Sequence, residues 1–275
     1  MLLYKYIRQN GIDLLDNLRL LFTAVSDLND PFEYRPALKA CSDEALRAAS
    51  FPEEYLQYLY KRSCSQGYKG SIGDFRAKAK TIKLDPKETD KGFLQAIETV
   101  REKSGQTLLV ASFCSADIKE KDDVLMWAHY AEDNTGLRIT FDSAALNLSP
   151  TELIKIEYAD ERISINPWLH PQGEDDEMIA QIRKSITTKS TSWQYEEEYR
   201  WIVSPHRCIE SNYVPLPAQA IIAVDAGVYA KDKFVLQVAS SLSRKELSHV
   251  RLRKANVDTL RFKINYTDVE KNKIE

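Results

Sequence analysis

Trp193-Gln194-Tyr195-Glu196-Glu197-Glu198-Tyr199-Arg200-Trp201 decides how the rest of the chain is read. Three successive carboxylates interrupt a run of aromatic residues that continues into Ile202 and Val203. Read as a strand, the alternation places Glu196, Glu198 and Arg200 on one face and Tyr195, Glu197, Tyr199 and Trp201 on the other. A sheet face carrying two carboxylates and a guanidinium is costly to bury unless the charges pair or take part in chemistry. The stretch therefore has two readings. It is a functional site, or it is a structural cluster in which Arg200 neutralises Glu198.

Working outward, 275 residues that are 43% hydrophobic suffice for a full core. The formal charge of −3 and a pI near 5.9 argue against wholesale electrostatic binding of nucleic acid or acidic membranes, though not against a local basic groove. Met1-Leu2-Leu3-Tyr4-Lys5-Tyr6 lacks the basic segment and apolar run of a signal peptide, and no apolar run approaches a membrane span. Cys41, Cys64, Cys114 and Cys208 are widely spaced, as are His129, His170, His206 and His249. That spacing suits reduced thiols in a cytoplasmic protein and predicts neither a disulfide framework nor a tightly bound metal.

In chain order, residues 2–8 read as a short strand and Asp13 to Leu21 as an amphipathic helix, although Arg19 to Ala24 suits a strand equally well. Ser26 to Glu33, with Asn29, Asp30 and Pro31, reads as a turn. Residues 43–104 are polar and helical, with basic residues such as Lys61, Arg62, Arg76 and Lys83 forming a solvated face or rimming an anion site. Thr107 to Ser115 is a central strand, with Cys114 facing opposite to its neighbours as a small core residue. Val124 to Tyr130 is a helix capped by Asp122 or Asp123, and Leu137 to Phe141 and Leu153 to Tyr158 are strands. A Pro-rich loop over 160–175 precedes a helix from Glu177 to Thr187. Past the opening stretch come strand 219–225, helix 230–243 and strands 248–253 and 258–266. The fold class expected is α+β: a mixed, mostly antiparallel sheet with helices on its faces, forming one domain over 1–275 with a helical insertion at 43–104.

Five boxes span the chain: Leu3-Tyr4-Lys5-Tyr6, Asn29-Asp30-Pro31-Phe32-Glu33, Ser112-Phe113-Cys114-Ser115, Met126-Trp127-Ala128-His129-Tyr130 with Gly136 and Phe141, and the opening stretch. Together they resemble a mainly bacterial family, domain of unknown function 2971. That resemblance implies a cytoplasmic bacterial protein of the kind found in phage-defence or abortive-infection settings. The order of the boxes also looks like that of ADP-ribosyltransferases, which run from an aromatic or basic residue on a first strand, through a Ser-x-Ser-like strand, to a late E-x-E strand. Here those stages are Tyr4, Tyr6 and Arg8, then Ser112 and Ser115, then Glu196 and Glu198. By analogy the expected substrate is the dinucleotide NAD, with a protein or nucleic-acid acceptor.

The chemistry behind that likeness is specific. A pyrophosphate needs a bidentate cation, which Arg8 or Arg200 supplies. Ser112 and Ser115 would fix the nicotinamide ribose, and Tyr6 or Tyr130 would stack on the nicotinamide. Breaking the N-glycosidic bond develops oxocarbenium character, which Glu198 would stabilise while Glu196 positions or deprotonates the acceptor. His129 is a further candidate base, and Asn29 a further ligand contact. The expected function is thus an NAD-using ADP-ribosyltransferase or NAD-glycohydrolase-like enzyme, as a defence effector or toxin. Two alternatives stand beside it. One is a metal-dependent nuclease using Asp30, Glu33, Glu196 and Glu198; the other is a non-enzymatic ligand-sensing module.

Overall fold

The computed structural model describes residues 1–38, 53–81, 108–149, 151–165 and 184–271, together with Lys91 and Gln95. In chain order the elements begin with β1 (Leu2–Ile7), α1 (Asp13–Asn17), β2 (Arg19–Leu21), β3 (Thr23–Ala24), β4 (Ala37–Leu38), α2 (Glu53–Ser65) and α3 (Ile72–Thr81). They continue with β5 (Leu109–Ser115), α4 (Glu120–Tyr130), β6 (Leu137–Asp142), β7 (Leu153–Lys155), β8 (Glu157–Ala159), β9 (Ser164–Ile165) and β10 (Thr188–Ser190). The last are β11 (Glu198–Val203), β12 (Tyr213–Pro215), β13 (Ile221–Ala226), α5 (Asp232–Leu242), β14 (Arg251–Val257) and β15 (Ile264–Asp268). Two compact units result. The first comprises Met1–Val25, Thr107–Tyr158 and Thr191–Glu275, and the second Ser26–Gln106 and Ala159–Ser190.

The first unit is built on a sheet ordered β15-β14-β13-β6-β1-β5-β11-β7, with β3 also on β5. Its pairings are antiparallel except for β13 with β14, the two strands that α5 connects. Register sorts the side chains onto two faces. Leu3, Phe113, Ile139, Phe141, Val224 and Trp201 share one buried cluster with Leu14 and Leu15 of α1 and with Phe234, Val238 and Leu242 of α5. The mixed, mostly antiparallel sheet with helices on its faces is therefore as the periodicity predicts.

The other face is polar. Arg138 of β6 lies opposite Tyr6 of β1 and Asp225 of β13, and Asp225 lies opposite Arg253 of β14. The Arg138 guanidinium donates to Asp225 Oδ2 at 2.8 Å and to Asp123 Oδ1 at 3.1 Å, sandwiched between the rings of Tyr4 and Tyr266. Tyr6 and Tyr266 donate their hydroxyls to Asp123, and Trp127 Nε1 donates to the Tyr266 hydroxyl at 2.9 Å. Burial pushes both tyrosine hydroxyls well above their ordinary acidity range. Helix α4 covers this network, with Trp127 fully buried.

Several boundaries differ from the periodicity reading. The leucines after Asp13 do not continue one helix: α1 ends at Asn17, Leu18 takes a left-handed φ of 47°, and β2 follows. Helix α4 starts at Glu120 behind Lys119. Asp122 and Asp123 thus lie inside its first turn and cap nothing, and the Asp123 carboxylate is turned to the sheet. Leu153 to Tyr158 breaks at Ile156, and Ser164–Ile165 inside the expected loop is strand β9. Strands expected at 248–253 and 258–266 shift to Arg251–Val257 and Ile264–Asp268, because the Asp258 carboxylate accepts from the Leu260 and Arg261 backbone and closes a turn.

The second unit contains α2 and α3, within the 43–104 segment, and the parallel pair β4–β9. Cys41, residues 43–52 and, apart from Lys91 and Gln95, residues 82–104 with Lys83 lie outside the described residues, as do residues 166–183 with the start of the expected Glu177 helix; residues 184–187 are helical. Among the described residues no helix is long and apolar enough to cross a membrane.

Candidate functional site

The site grows from an imperfect pairing. Strand β1 meets β5 through Leu3↔Ser115 and Tyr4↔Cys114, while β5 further along meets β3 through Thr23↔Val110 and Ala24↔Leu109. From Lys5 onward β1 therefore parts from β5. Between β1 and the segment from α1 to β3 lies a cleft of about 320 Å³ whose walls include Lys5, Tyr6, Arg8, Arg19, Tyr130 and Tyr213.

Lys5 shares the apolar face of β1 with Leu3, yet its ammonium reaches into the gap, donating to the Ser112 carbonyl at 2.9 Å with its Nζ 5.3 Å from the Phe113 ring centre. Burial lowers its pKa from 10.5 to about 8, opposed by the Glu198 carboxylate. Arg19 is held by Asp13 through Nε at 2.9 Å and Nη2 at 3.1 Å, and stacks 4.1 Å from the Tyr213 ring centre. Arg8 is exposed, and its guanidinium has no ion-pair partner among the described residues. On the far wall the Tyr130 hydroxyl donates to Glu196 Oε1 in a short hydrogen bond.

The opening stretch is not one strand. Thr191–Glu196 is a 3-10 helix, Glu197 takes a left-handed φ of 45°, and β11 begins at Glu198. Glu196 thus reaches Tyr130 from a turn, whereas Glu198 and Arg200 share the polar sheet face as alternation predicts. All three are buried, at 4%, 3% and 1% exposure. Arg200 grips Glu198 with two parallel bonds, Nε to Oε1 at 2.7 Å and Nη2 to Oε2 at 3.0 Å.

The predicted residues fall into three groups. Tyr6, Arg8 and Tyr130 line the cleft, with Glu196 bonded behind Tyr130. Tyr4, Ser112, Glu198 and Arg200 lie on the polar sheet face beside it, and Cys114 shares that face, opposite to its neighbours Phe113 and Ser115. Burial raises the Cys114 thiol far above its ordinary range. Ser115 sits at the strand end on the opposite face, its hydroxyl accepting from Asp117 N at 3.1 Å. His129 is exposed, with Nδ1 3.0 Å from the Tyr195 hydroxyl. Asn29, Asp30 and Glu33 belong to the second unit. Lys5 was not among the predicted residues, although its place between Leu3 and Ile7 on the apolar alternation was a usable signal.

Residues 126–201 match the model of a family described as a protein of unknown function (DUF2971). The match takes in both the Met126 to Tyr130 box and the opening stretch, and it supports the family resemblance read from the boxes. No curated protein and no solved structure matches the chain.

Proposed function

We propose that the cleft between β1 and the segment from α1 to β3 binds NAD and that the chain is an ADP-ribosyltransferase or NAD-glycohydrolase-like enzyme, acting in the bacterial cytoplasm as a defence effector. The observation that carries this reading is the convergence of Lys5, Arg8, Tyr6 and Tyr130 on one cleft, with Glu196 bonded to the Tyr130 hydroxyl. Two cations suit a pyrophosphate, Arg8 by a bidentate contact and Lys5 as a point charge. Tyrosine rings suit the flat faces of nicotinamide and adenine.

In this proposal the reacting carboxylate is Glu196, and Glu198 is the scaffold. With both Glu198 oxygens taken by Arg200, little net negative charge is left there to stabilise an oxocarbenium ion. The Tyr130–Glu196 hydrogen bond sets a carboxylate behind the cleft wall, where a developing positive ribose would be stabilised as nicotinamide leaves. Water or an acceptor then attacks the anomeric carbon. The same cleft also suits a ligand-sensing module, since Arg19 and Arg200 are already satisfied by internal carboxylates.

The test is nicotinamide release from NAD by the purified protein, with Glu196→Gln, Tyr130→Phe and Arg8→Met alongside. The expected outcome is release that falls roughly 10²-fold or more in the first two variants and a raised KM in the third. Affinity for NAD should fall as pH rises through about 8, because Lys5 loses its proton there. Absence of release sinks the enzyme reading, and binding without release leaves the sensing module.

A further inference from the structure

The Asn29-Asp30-Pro31-Phe32-Glu33 box is not used by that cleft, and in the second unit it forms part of a separate cavity of about 230 Å³. Asp30, only 3% exposed, is one of its walls. Its Oδ1 accepts from the Phe32 backbone N–H at 2.9 Å, which pins the turn. Its Oδ2 is buried and has no hydrogen-bond partner among the described residues. Thr188 also lines the cavity, and its Oγ1 is in the same condition.

A buried acceptor left unmade costs on the order of 1–3 kcal/mol, and more when it is charged. Two such atoms around one cavity are what remains when a site is shaped for a guest that supplies the missing donors. Lys189 and Arg162 are otherwise engaged. Lys189 pairs with Glu33 at 3.4 Å, both buried, and Arg162 donates to the carbonyls of Arg35 and Pro36 at 3.2 and 3.1 Å while lying 5.7 Å from the Phe32 ring centre.

The kind of guest follows from the unmade bonds. An ionised carboxylate only accepts, so the guest must donate. A positive guest suits the unmade carboxylate oxygen of Asp30, since a charge-assisted bond is the stronger one. The volume lies below the range of drug-sized ligands. Among the described residues no group of three or more His, Cys, Asp or Glu stands close enough to hold a metal ion, which favours an organic cation. We infer that this cavity binds a small organic cation through an ammonium or guanidinium group that donates to Asp30 Oδ2 and Thr188 Oγ1.

The test is calorimetric titration of the full chain with agmatine and putrescine, and with butanediol as the uncharged control. Asp30→Asn is the decisive variant. Its amide oxygen still accepts from Phe32 N, while its NH₂ replaces the free oxygen and repels a cation. Binding of at least one amine is expected, weakened at least tenfold by Asp30→Asn and several-fold by Thr188→Val, with none for butanediol. Without ligand, Asp30→Asn should melt no lower than the wild type, since it removes a desolvated charge. The inference is overturned if neither amine binds at millimolar concentration, if Asp30→Asn binds as the wild type does, or if butanediol binds equally. Asp30-dependent binding of Mg²⁺ with no amine binding overturns it too, as does an Asp30→Asn variant that melts lower. None of these outcomes depends on NAD, so this site and the cleft succeed or fail separately.

Discussion

Glu198 and Arg200 show how one pair of side chains can imitate a catalytic site. Their bond is bidentate and both are almost fully buried. Removing one member of such a pair strands the other's charge in a low-dielectric interior, at about 3–5 kcal/mol. Arg200→Met should therefore lower the denaturation midpoint sharply, whereas Glu198→Leu combined with Arg200→Met should recover most of the loss. If Arg200→Met unfolds at the wild-type denaturant concentration, the pair is not structural. Lys5 is the converse case, since alternation puts it on the apolar face with Leu3 and Ile7 but does not say where its ammonium goes. Only the parting of β1 from β5 brings its ammonium to the Ser112 carbonyl and lowers its pKa to about 8.

At the scale of elements, the cleft depends on β1 staying paired with β6 while it leaves β5. That pairing runs the whole length of β1, from Leu2↔Asp142 to Ile7↔Leu137. Just before β6, Gly136 lets the backbone of α4's exit approach β1. A Cβ there would lie 2.2 Å from the Ile7 carbonyl oxygen and 3.0 Å from that of Ala131. Both contacts are to backbone, so neither can swing aside. Gly136→Ala should cost at least about 2 kcal/mol and should weaken any ligand of the cleft, because Tyr6, Ile7 and Arg8 must shift together. Chemical denaturation and a ligand titration of that variant check both parts. Unchanged values in both would show that β1 is not held there. The 3-10 turn at Thr191–Glu196 is the other element that shapes the site, since it brings Glu196 to Tyr130.

At the scale of the whole molecule, the polar sheet face of the first unit is organised by Arg138. Its guanidinium ties β6 to Asp225 on β13 and to Asp123 on α4, and it stacks on Tyr4 of β1 and Tyr266 of β15. Arg138→Met would leave Asp123 short of its cation in a buried setting, while Asp225 keeps Arg253. A loss of about 3–5 kcal/mol is expected from its effect on a buried network, read as a lower thermal midpoint. An Arg138→Met variant as stable as the wild type would mean that Asp123 is neutralised some other way.

Read by itself, the chain determined its own sheet. Leu109 to Cys114, Leu137 to Phe141 and Ile221 to Ala226 are apolar runs or alternations whose burial stabilises only one arrangement of strands, so local pattern and tertiary outcome agree. It also determined that Glu198 and Arg200 share a face, because side-chain period in a strand is geometry. Tertiary structure alone decided the rest. Whether Glu198 pairs or reacts is set by where the Arg200 guanidinium lands, not by spacing. Whether Asp13 to Leu21 stays helical turns on Leu18, whose left-handed backbone ends α1, and on Tyr213 to Pro215, which pairs β12 with β2. The partners of Arg138 come from residues as far apart in the chain as Tyr4 and Tyr266. Buried charges are placed by long-range contacts that no window of sequence contains, and that is why the fold was legible before the site.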